Sequence, residues 1–127
     1  MSDEQKVVIK TMSSMMSYAI SQIATMDSDY ANKLKEVNEV IQWKIGDDIT
    51  YYQIIKDGDI KHFDGVADSP TLTFEIAEVA DGIKMFTGQA DMTALVSKMK
   101  ISDPAKALEL GFMMEKVGEY MEGMGGR

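Results

Sequence analysis

Cysteine is absent from the sequence, which removes disulfide scaffolds, thiol nucleophiles and thiolate metal sites at one stroke. A single histidine, His62, leaves nothing for a multi-histidine zinc centre and gives a Ser-His-Asp triad only one candidate imidazole. That imidazole lies in the hydrophilic segment DIKHFD, where it reads as an exposed strand histidine. Basic residues are also scarce. Thirteen Lys and Arg stand against 21 Asp and Glu, and the formal charge of -8 opposes binding to nucleic acid or an anionic bilayer. The most basic run, Lys98, Lys100 and Lys106, is broken by Met99, Asp103 and Pro104. Uninterrupted apolar runs are missing too: none approaches the roughly 18 residues of a spanning helix. MSDEQKVVIK lacks the basic start of a secretory signal and MGGR is no lipidation signal, so a cytoplasmic location is expected.

What remains is enough for one domain, residues 1–127, with an N-terminal amphipathic helix over 1–22 and a fraying tail at 122–127. Ser2 and Gln5 have capping-box spacing, and Val8, Met12, Met15, Met16, Ala19, Ile20 and Ile23 then recur at helical intervals as one apolar stripe. Asp27-Ser28-Asp29 ends that helix and starts a short second one with Tyr30, Leu34 and Val37 inward. From Val40 the period becomes two, with Ile41, Trp43 and Ile45 on the face expected to be buried. Gly46-Asp47-Asp48 turns the chain into TYYQIIK, and Asp57-Gly58 is a hairpin signal leading to IKHF. TLTFEI alternates again, with Leu72, Phe74 and Ile76 on one face. Four strands with one apolar face need a helical layer.

Helices are expected from Glu78 to Phe86, ending at Gly88, and from an Asp91 cap to Ser97 with Met92, Leu95, Val96 and Met99 inward. KMKIS is a short fifth strand, and Asp103-Pro104 starts a last helix that continues past Gly111, Phe112, Val117 and Met121.

Catalytic chemistry finds no support in this pattern. Asp57-Gly58-Asp59 breaks calcium-loop spacing at Ile60, Asp47 and Asp48 are turn formers, and the glycines from Gly118 onward lack the strand and helix of a phosphate loop. No catalytic residue, cofactor or metal site is assigned. The positive signal is methionine: Met12, Met15, Met16 and Met26 early, then Met85, Met92, Met99, Met113, Met114 and Met121. Flexible thioethers fill irregular gaps and coat variable apolar ligands, and composition alone leaves them more often core than cavity wall.

From Ile23 onward the chain resembles the sterol carrier protein type 2 family, in its small stand-alone prokaryotic branch. The similarity is carried by IATMDSDYANKLKEVN, VIQWKIGD, YYQIIKDGDIKHFDGVADSPTLTFEIA, IKMFTGQADMTALVSKMKIS and the final helix. Its landmarks are Thr73-Phe74-Glu75, Phe86-Thr87-Gly88, Asp91 and Lys98-Met99-Lys100-Ile101, in order. The resemblance implies an α/β (α+β) fold, a mixed five-stranded sheet covered on one face by helices, with an apolar tunnel between. It further implies that the tunnel binds a fatty acid, fatty acyl-CoA or sterol-like lipid, and carries it without chemistry. Family positions map to Ile83, Phe86, Met92, Leu95, Val96, Met99, Leu108, Phe112 and Met113 for the wall, with Trp43, Phe74 and Ile76 as the floor. Ser97 and Ser102-Asp103 depart from the family's glycines at the turns flanking the last strand. The partner expected is a lipid or acyl-chain small molecule, not nucleic acid, with transient membrane contact and homodimer formation left open. The alternative is a protein-interaction or dimerisation module with a solid core and an exposed Phe112, Met113 and Met121 stripe.

Overall fold

A computed structural model describes residues 3–87 and 92–125, except the side chains of 86, 87, 92, 93 and 121–125. Five strands form one mixed sheet in the order β3-β2-β1-β4-β5. They are β1 (Glu39–Ile45), β2 (Ile49–Lys56), β3 (Asp59–Asp64), β4 (Leu72–Ile76) and β5 (Lys100–Ile101). β1 pairs parallel with β4, and the other pairings are antiparallel. The helices are α1 (Asp3–Met26), α2 (Ser28–Lys35), α3 (Val79–Thr87), α4 (Met92–Lys98), α5 (Pro104–Glu109) and α6 (Gly111–Gly125).

The β2-β3 turn follows from its residues: Asp57 and Gly58 both have positive φ, 54° and 79°, as a two-residue hairpin matching strand twist requires. Asp27 caps α2 by accepting from the Tyr30 N–H at 3.0 Å. That hydrogen bond holds its carboxyl below the usual carboxylate range, and Lys116 at 3.5 Å reinforces it. Asp103 caps α5 in the same way, through the Lys106 N–H at 3.1 Å with Pro104 at the first turn. The helix expected to run on from there instead breaks at Leu110, whose N–H bonds back to the Lys106 and Leu108 carbonyls, before α6 begins. The expected caps at Gly88 and Asp91, and the tail residues Gly126 and Arg127, lie outside the described residues.

Strand alternation directs Ile41, Trp43 and Ile45 of β1, Ile49, Tyr51, Gln53 and Ile55 of β2, and Leu72, Phe74 and Ile76 of β4 to one face. Helices cover that face and two apolar cores result. The first joins Ile20 and Ile23 of α1, Tyr30 and Leu34 of α2, and Met113 and Val117 of α6 to Ile41, Ile55, Ile60 and Leu72. The second joins Ile9 of α1 and Leu95 of α4 to Ile45, Ile49, Tyr51 and Ile76. Each fully buried aliphatic side chain stabilises the fold by about 1.5–3 kcal/mol. Gly82 lets α3 approach β1 closely: a Cβ there would sit 3.0 Å from Ile45 Cγ2. Burial raises the Tyr30 hydroxyl to about 12, where it donates to the Met113 carbonyl at 3.0 Å and ties α2 to α6.

Helix α1 is rotated from its expected phase. Val8 and Met15 are exposed, and the buried line is Ile9, Ser13, Ser17, Ile20 and Ile23. Two serines can be buried because each bonds within the helix: Ser13 Oγ donates to the Lys10 carbonyl at 3.0 Å and Ser17 Oγ to the Ser13 carbonyl at 3.2 Å. The sheet supplies the remaining partners.

Candidate functional site

The middle of the helix-facing side of the sheet is a row of stacked rings. Trp43 lies between Tyr51, 6.0 Å away at 14°, and Phe74, 4.4 Å away at 21°. Strand register places all three opposite one another, and His62 extends the row by stacking on Tyr51 at 4.9 Å. Tyr51 is buried at one end, whereas Trp43 and Phe74 are only half-buried. This contrast defines the site. Trp43 and Met16 each touch both cores, so with Phe74, stacked on Trp43, they mark a partly buried apolar strip where the two regions meet. Ile83 and Met99 pack partly buried against the second core, and Phe112, Leu110 and Ile101 against the first.

A chain of hydrogen bonds sets the floor. The Trp43 indole N–H donates to Gln53 Oε1 at 3.1 Å, and Gln53 Nε2 donates to Ser17 Oγ at 2.9 Å. The indole has only a donor, so the orientation of the Gln53 amide follows from it. Further along, Ser13 Oγ spends its proton on the Lys10 carbonyl and therefore accepts from His62 Nε2 at 2.9 Å, leaving Nδ1 to face Ser14 Oγ at 3.4 Å. His62 is thus half-buried and packed under α1, not the exposed strand residue its neighbours suggested. It shares the inward parity of Ile60, and that parity outweighs the polarity of DIKHFD. Burial lowers the His62 pKa, with Asp64 opposing the shift and Lys10 adding to it.

Of the expected site residues, Trp43, Phe74 and Phe112 pack partly buried against the first core, and Trp43, Ile83 and Met99 against the second. Ile76, Leu95 and Met113 are buried in the cores that flank it. The side chains of Phe86 and Met92 lie outside the described residues. Val96 and Leu108 are corrected: they are 49% and 85% exposed and face solvent. The break at Leu110 turns α5 so that Ala107 and Leu110, not Leu108, meet the core. The exposed Phe112-Met113 stripe is corrected as well, because Phe112 packs edge-on against Tyr30 at 5.7 Å and Met113 is buried. The expected wall and floor left out Met16 and Ile101, although both were placed in apolar patterns, and also Gln53 and Tyr51. The last two were accessible from strand parity, since both alternate in phase with Ile49 and Ile55.

Two surface depressions are lined by neither Trp43 nor Phe74. One, about 280 Å³, is lined by Lys10, Thr11, Ser14, His62 and Asp64. The other, about 130 Å³, is lined by Lys44, Gly46, Glu75, Ile76, Ala77, Lys98 and Lys100. Among the described residues no helix is long and apolar enough to cross a membrane.

A mixed five-stranded sheet with helices over one face is the sterol carrier protein 2 fold. The palmitated sterol carrier protein 2 like 2 of Aedes aegypti superposes with a TM-score of 0.52 at 17% identity, covering 85% of this chain and 88% of that one. A crystal structure of the same Aedes protein gives 0.52 at 17% identity over 86% and 98%. The sterol carrier protein domain 2 of Helicoverpa armigera gives 0.51 at 18% identity over 81% and 85%. No protein-family model and no curated protein sequence matches the chain.

Proposed function

We propose that this protein binds a lipid by burial and carries it without chemical change, with the strip above Trp43 and Phe74 as the binding surface. The observation that carries this reading is the incomplete burial of two stacked aromatic rings at the centre of the covered face, where a closed core would seal them first. Met16 belongs to the strip and Met99 packs partly buried against the second core, and both thioethers adapt to a ligand of variable shape. The fold neighbours support the same class, and one of them is a palmitated protein. Burying ten methylenes contributes about 8 kcal/mol, which offsets a large part of the roughly 4–15 kcal/mol cost of association.

Trp43 is the only tryptophan, so its emission reports directly on the floor. Organic extraction and mass spectrometry of purified protein, followed by titration with palmitate and palmitoyl-CoA, should give a retained lipid or a saturable change in Trp43 emission. Absence of both would sink the proposal.

A further inference from the structure

The single histidine of the chain is set between two serines that are adjacent on α1. His62 Nε2 lies 2.9 Å from Ser13 Oγ, and His62 Nδ1 lies 3.4 Å from Ser14 Oγ. Their environments differ. Ser13 is 1% exposed and gives its proton to the Lys10 carbonyl, whereas Ser14 is exposed to solvent. Because Ser13 Oγ can then only accept from the ring, Nε2 carries the hydrogen and Nδ1 presents its lone pair to the Ser14 hydroxyl.

The imidazole is held as a base needs to be. Tyr51 of β2 stacks on it at 4.9 Å and 22°, and Ser13 fixes the nitrogen remote from Ser14. A base oriented by one group and within reach of a hydroxyl is the arrangement that activates a serine, and the contact between nucleophile and base is often looser before substrate binds. The surroundings suit the same chemistry. Lys10, Thr11, Ser14, His62 and Asp64 line the 280 Å³ depression, so the pair opens onto space for a small molecule. Lys10, one helical turn before Ser14, is the one cation besides His62 in that lining, and the Asp64 carboxylate lies 3.5 Å from its Nζ. Burial and Lys10 keep the imidazole unprotonated at neutral pH, while Asp64 favours the imidazolium that proton transfer creates.

We propose that Ser14 and His62 form a nucleophile-base pair that hydrolyses a small carboxylic ester entering from solvent. Ser14 Oγ bonds to the acyl carbon as its proton passes to His62 Nδ1, and the Lys10 ammonium faces the developing oxyanion. The carbon-oxygen bond to the alcohol breaks, and His62 returns the proton to the leaving oxygen. Water then attacks the acyl-Ser14 ester, His62 taking its proton and restoring it to Ser14 Oγ as the carboxylic acid departs. An alcohol that leaves easily suits this site, since its oxyanion partner is a side chain shared with Asp64. The activity is separate from lipid binding, because neither Trp43 nor Phe74 lines the hollow.

The probe is p-nitrophenyl acetate, added to the full chain at neutral pH and followed by p-nitrophenolate absorbance. Turnover above that of buffer is expected, and Ser14→Ala, a change at an exposed position, should lower it about tenfold or more. The rate should decline as pH falls from the ordinary histidine value of 6.5 through the lower folded value, as His62 gains a proton. A fluorophosphonate should add to Ser14, read by peptide mass spectrometry, and His62→Gln should slow that addition about tenfold or more. Far-UV circular dichroism checks the fold of both variants, and Ser14→Ala decides the matter even where His62→Gln weakens the fold. Equal turnover by the parent and Ser14→Ala, or no adduct on Ser14, overturns the proposal. Hydrolysis that survives Ser14→Ala but disappears in His62→Gln makes the imidazole itself the nucleophile, and overturns it as well.

Discussion

Gln53 is the hub of the hydrogen bonds beneath α1, and a double-mutant cycle with Ser17 tests that role quantitatively. Ser17→Ala removes the acceptor of the buried Gln53 Nε2 and leaves that donor unpaired, at a cost of about 1–3 kcal/mol. The loss of the Ser17 donation to the Ser13 carbonyl adds little, since helix carbonyls keep their backbone bonds, and Ala gains a few tenths of a kcal/mol in helix propensity. A net loss of about 1.5 kcal/mol is expected. Gln53→Met keeps the volume and orphans the Trp43 N–H, which costs about 1–2 kcal/mol because the half-buried indole can still meet water. In that background nothing depends on Ser17, so Ser17→Ala should be neutral or slightly stabilising. The coupling energy is therefore about 1.5 kcal/mol, read from urea unfolding of the four proteins by far-UV circular dichroism. Should Ser17→Ala cost the same in both backgrounds to within about 0.5 kcal/mol, the proposed chain of hydrogen bonds is wrong.

Other consequences can be checked with the same assay. Burial favours the neutral His62 imidazole in the folded state, so its contribution is complete above the ordinary value of 6.5 and is lost as pH falls from there through the lower folded value. The urea midpoint should fall across that window, and His62→Gln should flatten the dependence. Gly58→Ala should cost about 1–2 kcal/mol or more, since Gly58 has a φ of +79° and its new Cβ would sit 2.9 Å from Lys35 Cγ, which must shift. A charge separates core from surface among the expected wall residues: Leu95→Asp should unfold the protein or cost more than about 3 kcal/mol. Leu108→Asp should stay within about 0.5 kcal/mol of the parent, and a large loss there would contradict the exposed placement.

Much of the sheet was legible because a period of two admits few alternatives. Ile41, Trp43 and Ile45 had to share a face with each other, and Asp57-Gly58 could hardly be anything but a tight hairpin. The two capped helix starts, at Asp27 and Asp103, were equally local. The phase of α1 was not, because two faces of that helix compete. One carries Val8, Met12, Met15 and Met16, the other Ile9 with Ser13 and Ser17, both run on into Ile20 and Ile23, and polarity alone favours the first. Likewise, Gly111 is the one local sign that the helix stops at Leu110 and turns Leu108 outward, and a glycine inside a continuing helix looks the same.

Local chemistry by itself therefore determined the order of elements, the strand faces and the exclusion of thiol chemistry, because alternation, turn residues and composition act over a few positions. Only the tertiary structure decided that Ser13 and Ser17 are buried, since their burial depends on Gln53 and His62 reaching them from the sheet. It also decided that Trp43 and Phe74 are left half-open, because that follows from where two cores end and not from any property of the rings themselves.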